Sequence, residues 1–233
     1  MSFPAFAGAH VLVAHGTRKQ TGVALVADLA ERVSAELGSK VHVAFVDVLG
    51  PTPCEVLRNL DEPAVVVPAF LSRGYHVNAD IPAHVVASGH RDVLITDALG
   101  PGPQLARILA DRLVRCGWRP GDSVVLAAAG TSDAHAQSDL RRAAALLSAV
   151  IGDRVELAFA ATGDPKVADA VTRLRRQGAR RVVVSSYLLA EGLFQDRLRN
   201  SGADAVADPL GAHPAMARLI ASRFRRARLA VAA

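Results

Sequence analysis

The sequence predicts an α/β protein built from two homologous doubly wound lobes, each a small parallel sheet flanked by helices. Three observations lead there. The chain repeats itself, its Val-rich runs alternate with helical periods, and its composition is that of a packed globular protein. In the repeat, VLVAHGT at positions 11–17 reads against VLAAAGT at 125–131, and Val43-Ala44-Phe45 against Leu157-Ala158-Phe159, both offset by 114 residues. Val65-Val66-Val67 with Phe70-Leu71 meets Val182-Val183-Val184 with Tyr187-Leu188, and Asp97-Ala98-Leu99-Gly100 meets Asp208-Pro209-Leu210-Gly211. Four blocks in one order define two copies, residues 1–118 and 119–233, joined around Gly117-Trp118-Arg119-Pro120-Gly121.

Each copy then resolves into elements. Strands are expected at 10–14, 41–46, 64–70 and 92–96. They are continuously apolar, as strands covered on both faces of a parallel sheet are. Between the first two, Val26, Leu29, Val33 and Leu37 mark one face of a helix, and Gly38 stops it. Leu105, Ile108, Leu109, Leu113 and Cys116 repeat the helical period after the fourth strand. The second copy supplies strands at 124–128, 155–160, 181–187 and 203–207. A βαβαβαβα order, twice, gives two parallel sheets whose ligand-binding edge lies beyond the C-terminal strand ends.

Composition excludes other classes. The 233 residues are 51% hydrophobic and carry a net charge of +5, too apolar for a disordered chain. No apolar run reaches membrane-spanning length. MSFPAFAGAHVLVAHG has no basic stretch before its apolar part, so no secretory signal is expected. Cys54 and Cys116 form neither a disulfide framework nor a CxxC pair, which fits a reducing cytoplasm. Of the 27 basic residues only Lys19, Lys40 and Lys166 are lysines. No basic run interleaved with aromatics suggests nucleic acid. The charge is uneven: residues 1–120 are net zero and residues 121–233 net +5.

The strand ends carry the chemistry. Ala14-His15-Gly16-Thr17-Arg18 follows the first strand, Asp47 the second, and Ser72-Arg73-Gly74-Tyr75-His76-Val77-Asn78-Ala79-Asp80-Ile81-Pro82 the third. Two imidazoles and a carboxylate at successive strand ends are ligand types for a borderline divalent metal, and imidazole also moves protons near neutral pH. The second copy is an internal control. His15 becomes Ala129, Asp47 becomes Ala161, and His76 falls opposite Leu193 or Phe194, depending on a small gap. Groups needed for folding would be expected in both copies; these were lost together.

The AHGTR after the first strand, the acid after Ala44-Phe45-Val46, and the block PAFLSRGYHVNADIP after the third strand resemble the class II chelatases of the sirohydrochlorin chelatase (CbiX/SirB) type, over essentially the whole chain and in the long two-lobe form. The resemblance implies insertion of a divalent metal into a tetrapyrrole, with only the first lobe keeping the site. His15 and His76 would be the metal-binding and proton-accepting histidines, with Asp47 orienting or co-ligating. That position is often Glu in the family, and Asp is one methylene shorter; Glu55 is a nearby alternative. Two imidazoles and a carboxylate leave coordination positions open, as insertion requires. The substrate is rimmed with carboxylates, for which Arg18 and Arg73, beside the histidines, are candidate clamps. Thr17, Thr131 and Ser132 could donate hydrogen bonds. The metal, Fe²⁺ in the first place and otherwise Co²⁺ or Ni²⁺, is substrate, and no organic cofactor is expected. Iron would yield sirohaem, and cobalt would point to cobalamin synthesis. With two lobes fused, a monomer is expected, with neither nucleic acid nor membrane as partner.

Two rivals stand beside this reading. Histidine phosphatases place His-Gly after a first strand, but with Arg just before the His, where this chain has Ala14. A non-enzymatic metal-delivery protein could use the same ligands without a tetrapyrrole. Elsewhere, Asp80 is read as a cap for the following helix. His135 reads as a surface residue, and His10 and His42 as packed or edge strand residues. His84, His90 and His213 have no expected partner. The Arg223–Arg228 segment reads as a solvated helix end.

Overall fold

The computed structural model describes residues 8–211 and 213–231. The first seven residues, on which the leader reading partly rests, lie outside them. Among the described residues there are two four-stranded sheets, all neighbours parallel. β1 (Ala9–Ala14), β2 (Val41–Phe45), β3 (Ala64–Pro68) and β4 (Val93–Ile95) lie in the order β2-β1-β3-β4. β5 (Ser123–Gly130), β6 (Val155–Thr162), β7 (Val182–Tyr187) and β8 (Ala205–Val206) repeat that order as β6-β5-β7-β8. The fold is therefore the expected pair of parallel-sheet α/β repeats. Central strands β1, β3 and β7 are buried at every position, which is why they are Val-rich and carry few polar residues, His10 in β1 and Ser185 and Ser186 in β7.

The helices are α1 (Gln20–Leu37), α2 (Pro53–Arg58), α3 (Ile81–Ser88), α4 (Pro103–Arg115), α5 (Ala134–Ile151), α6 (Val167–Arg176), α7 (Leu193–Arg199) and α8 (Pro214–Val231). The predicted face of α1 is buried through Val26, Leu29 and Val33. Gly38 ends it at φ 66°, its N–H bonded to Ser34 O; Gly152 ends α5 at φ 70° on Ser148 O. Each pair is separated by the same 114 residues, so the repeat extends to the helix caps.

The compact units do not follow the repeat. One comprises the chain up to Phe70, Tyr75–Leu99 and the segment from Pro214; the other comprises Leu71–Gly74 and Gly100–His213. Helix α8, from the second copy, thus packs in the first unit against α1 and β3, and α4, from the first copy, packs in the second unit against α5 and β7. The 118/119 division describes the repeat, whereas compactness follows the exchanged helices. The Arg223–Arg228 segment is accordingly more than a solvated helix end. Phe224 is fully buried, with its ring 4.9 Å from that of His10, while Arg225 reaches Glu36.

Strand register also corrects the alignment of the copies. Val11 lies opposite Val66, and Val125 opposite Val184, so β3 matches β7 at an offset of 118. Equivalent loop bonds agree, with Leu99 N–H on Phe70 O and Leu210 N–H on Leu188 O, both 2.9 Å. Phe70 therefore corresponds to Leu188, not Tyr187. Beyond it, the fully buried Ile81 and Leu198 take matching places in their cores at an offset of 117. The first copy holds one residue more, and takes it up as a π-helical turn, His76–Asp80, where Ile81 N–H reaches back to His76 O.

Candidate active site

β1 ends at Ala14, so His15 is the first residue past its C-terminal end and is exposed. The chain turns at once through Gly16 (φ 93°), where a Cβ would stand 2.0 Å from Asp47 O. Only glycine fits that approach. The second copy repeats it at Gly130 (φ 105°), whose Cβ would stand 1.7 Å from Thr162 O. The β1–β2 pairing runs on past the strands, with Val46 N–H bonded to Ala14 O and Asp47 N–H to His15 O, both 3.0 Å. His76 opens the π-turn after β3.

Two of the three predicted groups come together. The rings of His15 and His76 lie 4.7 Å apart, nearly perpendicular at 86°. Phe70 stacks on His76 at 5.8 Å, and the exposed Tyr75 meets its edge at 5.6 Å. Each imidazole has one nitrogen engaged: His15 Nδ1 lies 3.1 Å from Gly16 O, and His76 Nδ1 2.8 Å from Asp80 Oδ2. In both rings Nε2 is the nitrogen remaining for a ligand or a proton.

Asp47 does not complete a cage. Its exposed carboxylate accepts the Val48 N–H at 2.7 Å, and among the described residues no three His, Cys, Asp or Glu side chains come together to hold a metal. Glu55 is occupied otherwise: with Thr52 it forms a capping box on α2, and the two Thr52 hydrogen bonds hold its carboxyl below the usual range. The expectation for Asp80 is overturned. It makes no side-chain bond to cap α3, because its carboxylate is turned back to His76, with the other oxygen 3.7 Å from His84 Nε2. The sequence held a signal for this, because His76, Asp80 and His84 are spaced at i, i+4 and i+8.

The arginines divide. Arg18 is exposed, and no described ion pair holds it. Arg73 lies in the second unit, where its Nε and Nη2 grip Asp139 at 3.0 and 2.7 Å while its backbone N–H adds a third bond at 2.9 Å. The edge of the guanidinium that would clamp a substrate carboxylate is thus spent on a protein one. Burial alone pushes the Asp139 carboxyl up, but the Arg73 bonds outweigh it and hold it below the usual range. Thr17 Oγ accepts from Lys19 N–H at 3.2 Å and Thr131 Oγ from Asp133 N–H at 3.0 Å, the same turn in both copies. Ser132 is exposed beside it, and His135 is exposed as expected. His10 is buried and His42 half-buried, its pKa lowered first by burial and then by Lys40. Partners do exist for His90 (Glu62 O, 3.1 Å) and His213 (Asp111, 2.9 Å).

The CbiX family model matches the chain twice, over residues 9–116 and 123–227. The chain belongs to the CbiX family. This CbiX chain is 23% identical to a sirohydrochlorin ferrochelatase of Priestia megaterium, over 91% of its own length and 88% of the relative's. A sirohydrochlorin cobaltochelatase of Methanothermobacter thermautotrophicus is 28% identical over 44% of the CbiX chain and 88% of its own length. Among solved structures, SirB from Bacillus subtilis with Fe³⁺ shares the fold, with a TM-score of 0.83 at 20% identity and 95% coverage of both chains. No described helix of the CbiX chain is long and apolar enough to cross a membrane.

Proposed function

We propose that the chain is a sirohydrochlorin chelatase that places a divalent metal, Fe²⁺ foremost, into the tetrapyrrole. The observation that carries this is the His15–His76 pair, 4.7 Å apart at strand ends whose equivalents in the second copy bear Ala129 and an apolar α7 residue. Insertion exchanges two pyrrole N–H protons for one dication. The site must therefore present a metal without retaining it, and must take up protons. Two imidazoles meet both needs: they leave coordination positions open, and neutral imidazole accepts a proton near pH 7.

The metal enters as substrate and leaves in the product. One histidine presents it, and the other accepts the two pyrrole protons in turn, passing each to solvent. Asp47 supports the site through its backbone bond to His15 and its exposed charge rather than as a ligand. Arg18 is the candidate partner for a substrate carboxylate, with Thr17 beside it. Arg73 acts at a distance, by holding Asp139. Iron is put first because the relative that spans both copies, over 91% of the chain, is a ferrochelatase; the cobaltochelatase, aligned over 88% of its own length, is a shorter protein that covers 44% of the chain.

The test is an anaerobic assay with sirohydrochlorin and Fe²⁺, Co²⁺ or Ni²⁺ in turn, followed by absorbance. Acceleration is expected, greatest with Fe²⁺, and His15→Ala and His76→Ala should each lower it about a hundredfold. No acceleration with any metal, or a His76→Ala enzyme at full rate, would overturn the reading.

A further inference from the structure

We infer that Asp80 is the positioning residue of His76. Its carboxylate accepts the Nδ1 proton, fixes the tautomer whose Nε2 carries the lone pair, and so presents that nitrogen to the divalent ion. The inference rests on the chelatase reading and deepens it.

Four observations converge. The Nδ1–Oδ2 distance is 2.8 Å, between side chains only 29% and 21% exposed, so water competes poorly for the bond. Asp80 has no capping role to explain it. The π-turn is the one-residue difference between the two copies, and it spans His76 to Asp80. It therefore sets the phase of one side chain against the other. Finally, the second copy changes both partners together. Counting forward from Phe70 and Leu188, Phe194 stands where His76 does; counting back from Ile81 and Leu198, Arg197 stands where Asp80 does. There the guanidinium of Arg197 lies over the Phe194 ring at 5.7 Å. The acid disappears where the imidazole does, as expected if its purpose is to orient that ring.

The physical reason is general. A metal-binding imidazole works best when its other nitrogen donates to a carboxylate or carbonyl, which fixes the ring and strengthens the free nitrogen as a ligand. His15 has the carbonyl version, on Gly16, and His76 the carboxylate version. In Asp80→Asn, the amide can donate to Nδ1 instead, which moves the proton to Nε2 and blocks ligation, at nearly unchanged volume.

Histidine-labelled, metal-free full-length protein reports the tautomer by ¹H–¹⁵N correlation. His76 should be protonated at Nδ1 in the wild type and shift toward Nε2–H in Asp80→Asn. Co²⁺ titration should show about a ten- to hundredfold weaker affinity in that variant. A similar fall in kcat is expected, with KM for sirohydrochlorin near the wild-type value, an unchanged thermal midpoint, and partial rescue in Asp80→Glu. An unchanged tautomer with unchanged Co²⁺ affinity would overturn the positioning role. So would a loss tracking a lowered thermal midpoint without rescue by Glu. A wild type that inserts no metal overturns the chelatase reading instead, and is recognised by that assay alone.

Discussion

At the scale of single residues, the candidate site is held by groups outside the proposed chemistry. Gly16 carries the close passage of the chain beside Asp47, and a methyl there meets a carbonyl at 2.0 Å in a backbone region that disfavours side chains. Gly16→Ala should cost about 2 kcal/mol or more, read from the urea midpoint, and should lower metal insertion with it. Arg73 and Arg18 look alike in the sequence, each near a histidine, and the structure separates them. Removing Arg73 strips two hydrogen bonds from Asp139, whose side chain is 2% exposed. Arg73→Ala should therefore lose about 2 kcal/mol of stability. Arg18→Ala should leave the midpoint alone and raise KM severalfold.

Asp139 adds a pH dependence. Its folded carboxyl sits below the ordinary range, so in acid the unfolded chain binds the proton first. The resulting stability is present above the ordinary carboxylate range and is lost as pH falls from there through the lowered folded value. Urea midpoints measured from neutral to acid pH should show this slope reduced in Asp139→Asn.

At the scale of elements, strands and helix faces were legible because each is set by local periodicity. Val26, Leu29 and Val33 had to face one way whatever they met, and the Val runs had to be covered on both sides. Two features were not legible. The copies differ by one residue between Phe70 and Ile81, and sequence matching alone set β7 one position out. A stretch of valines slides on itself without penalty, whereas ladder hydrogen bonds admit one register. The other is α8. Its arginines suggested a solvated end, but Phe224 is wholly buried on the first unit. Phe224→Ala should cost about 3–5 kcal/mol by urea denaturation.

At the scale of the whole molecule, the uneven charge changes meaning. The whole surplus in residues 121–233 lies in the segment from Pro214, which carries five arginines and no acid, and so belongs to the first unit. Many other arginines are committed to ion pairs within the second, Arg173 to Glu156 at 2.6 Å, Arg181 to Asp122 at 3.0 Å and Arg199 to Glu191 at 2.7 Å. Such pairs take up as many acids as arginines and residues 121–213 are net zero, so the surplus is that of α8, and Arg18 is the exposed candidate for substrate beside the histidines. The exchanged helices carry a second consequence. Residues 1–118 expressed alone would lack α8 on β3 and leave the buried face of α4 without its sheet. The half-chain should therefore show weak near-ultraviolet circular dichroism and no cooperative melt, and a sharp melt would refute this.

The sequence by itself determined the repeat, the parallel sheets and the strand-end placing of the candidate site with its two proposed histidines, because each follows from spacing along the chain or from comparison of one copy with the other. Tertiary structure decided which carboxylate serves His76, which arginine is spent on a buried acid, and which sheet each last helix covers. Those choices depend on groups far apart in sequence, or on the phase of one extra residue in a helical turn. Two copies with interchangeable apolar faces carry no local signal for either.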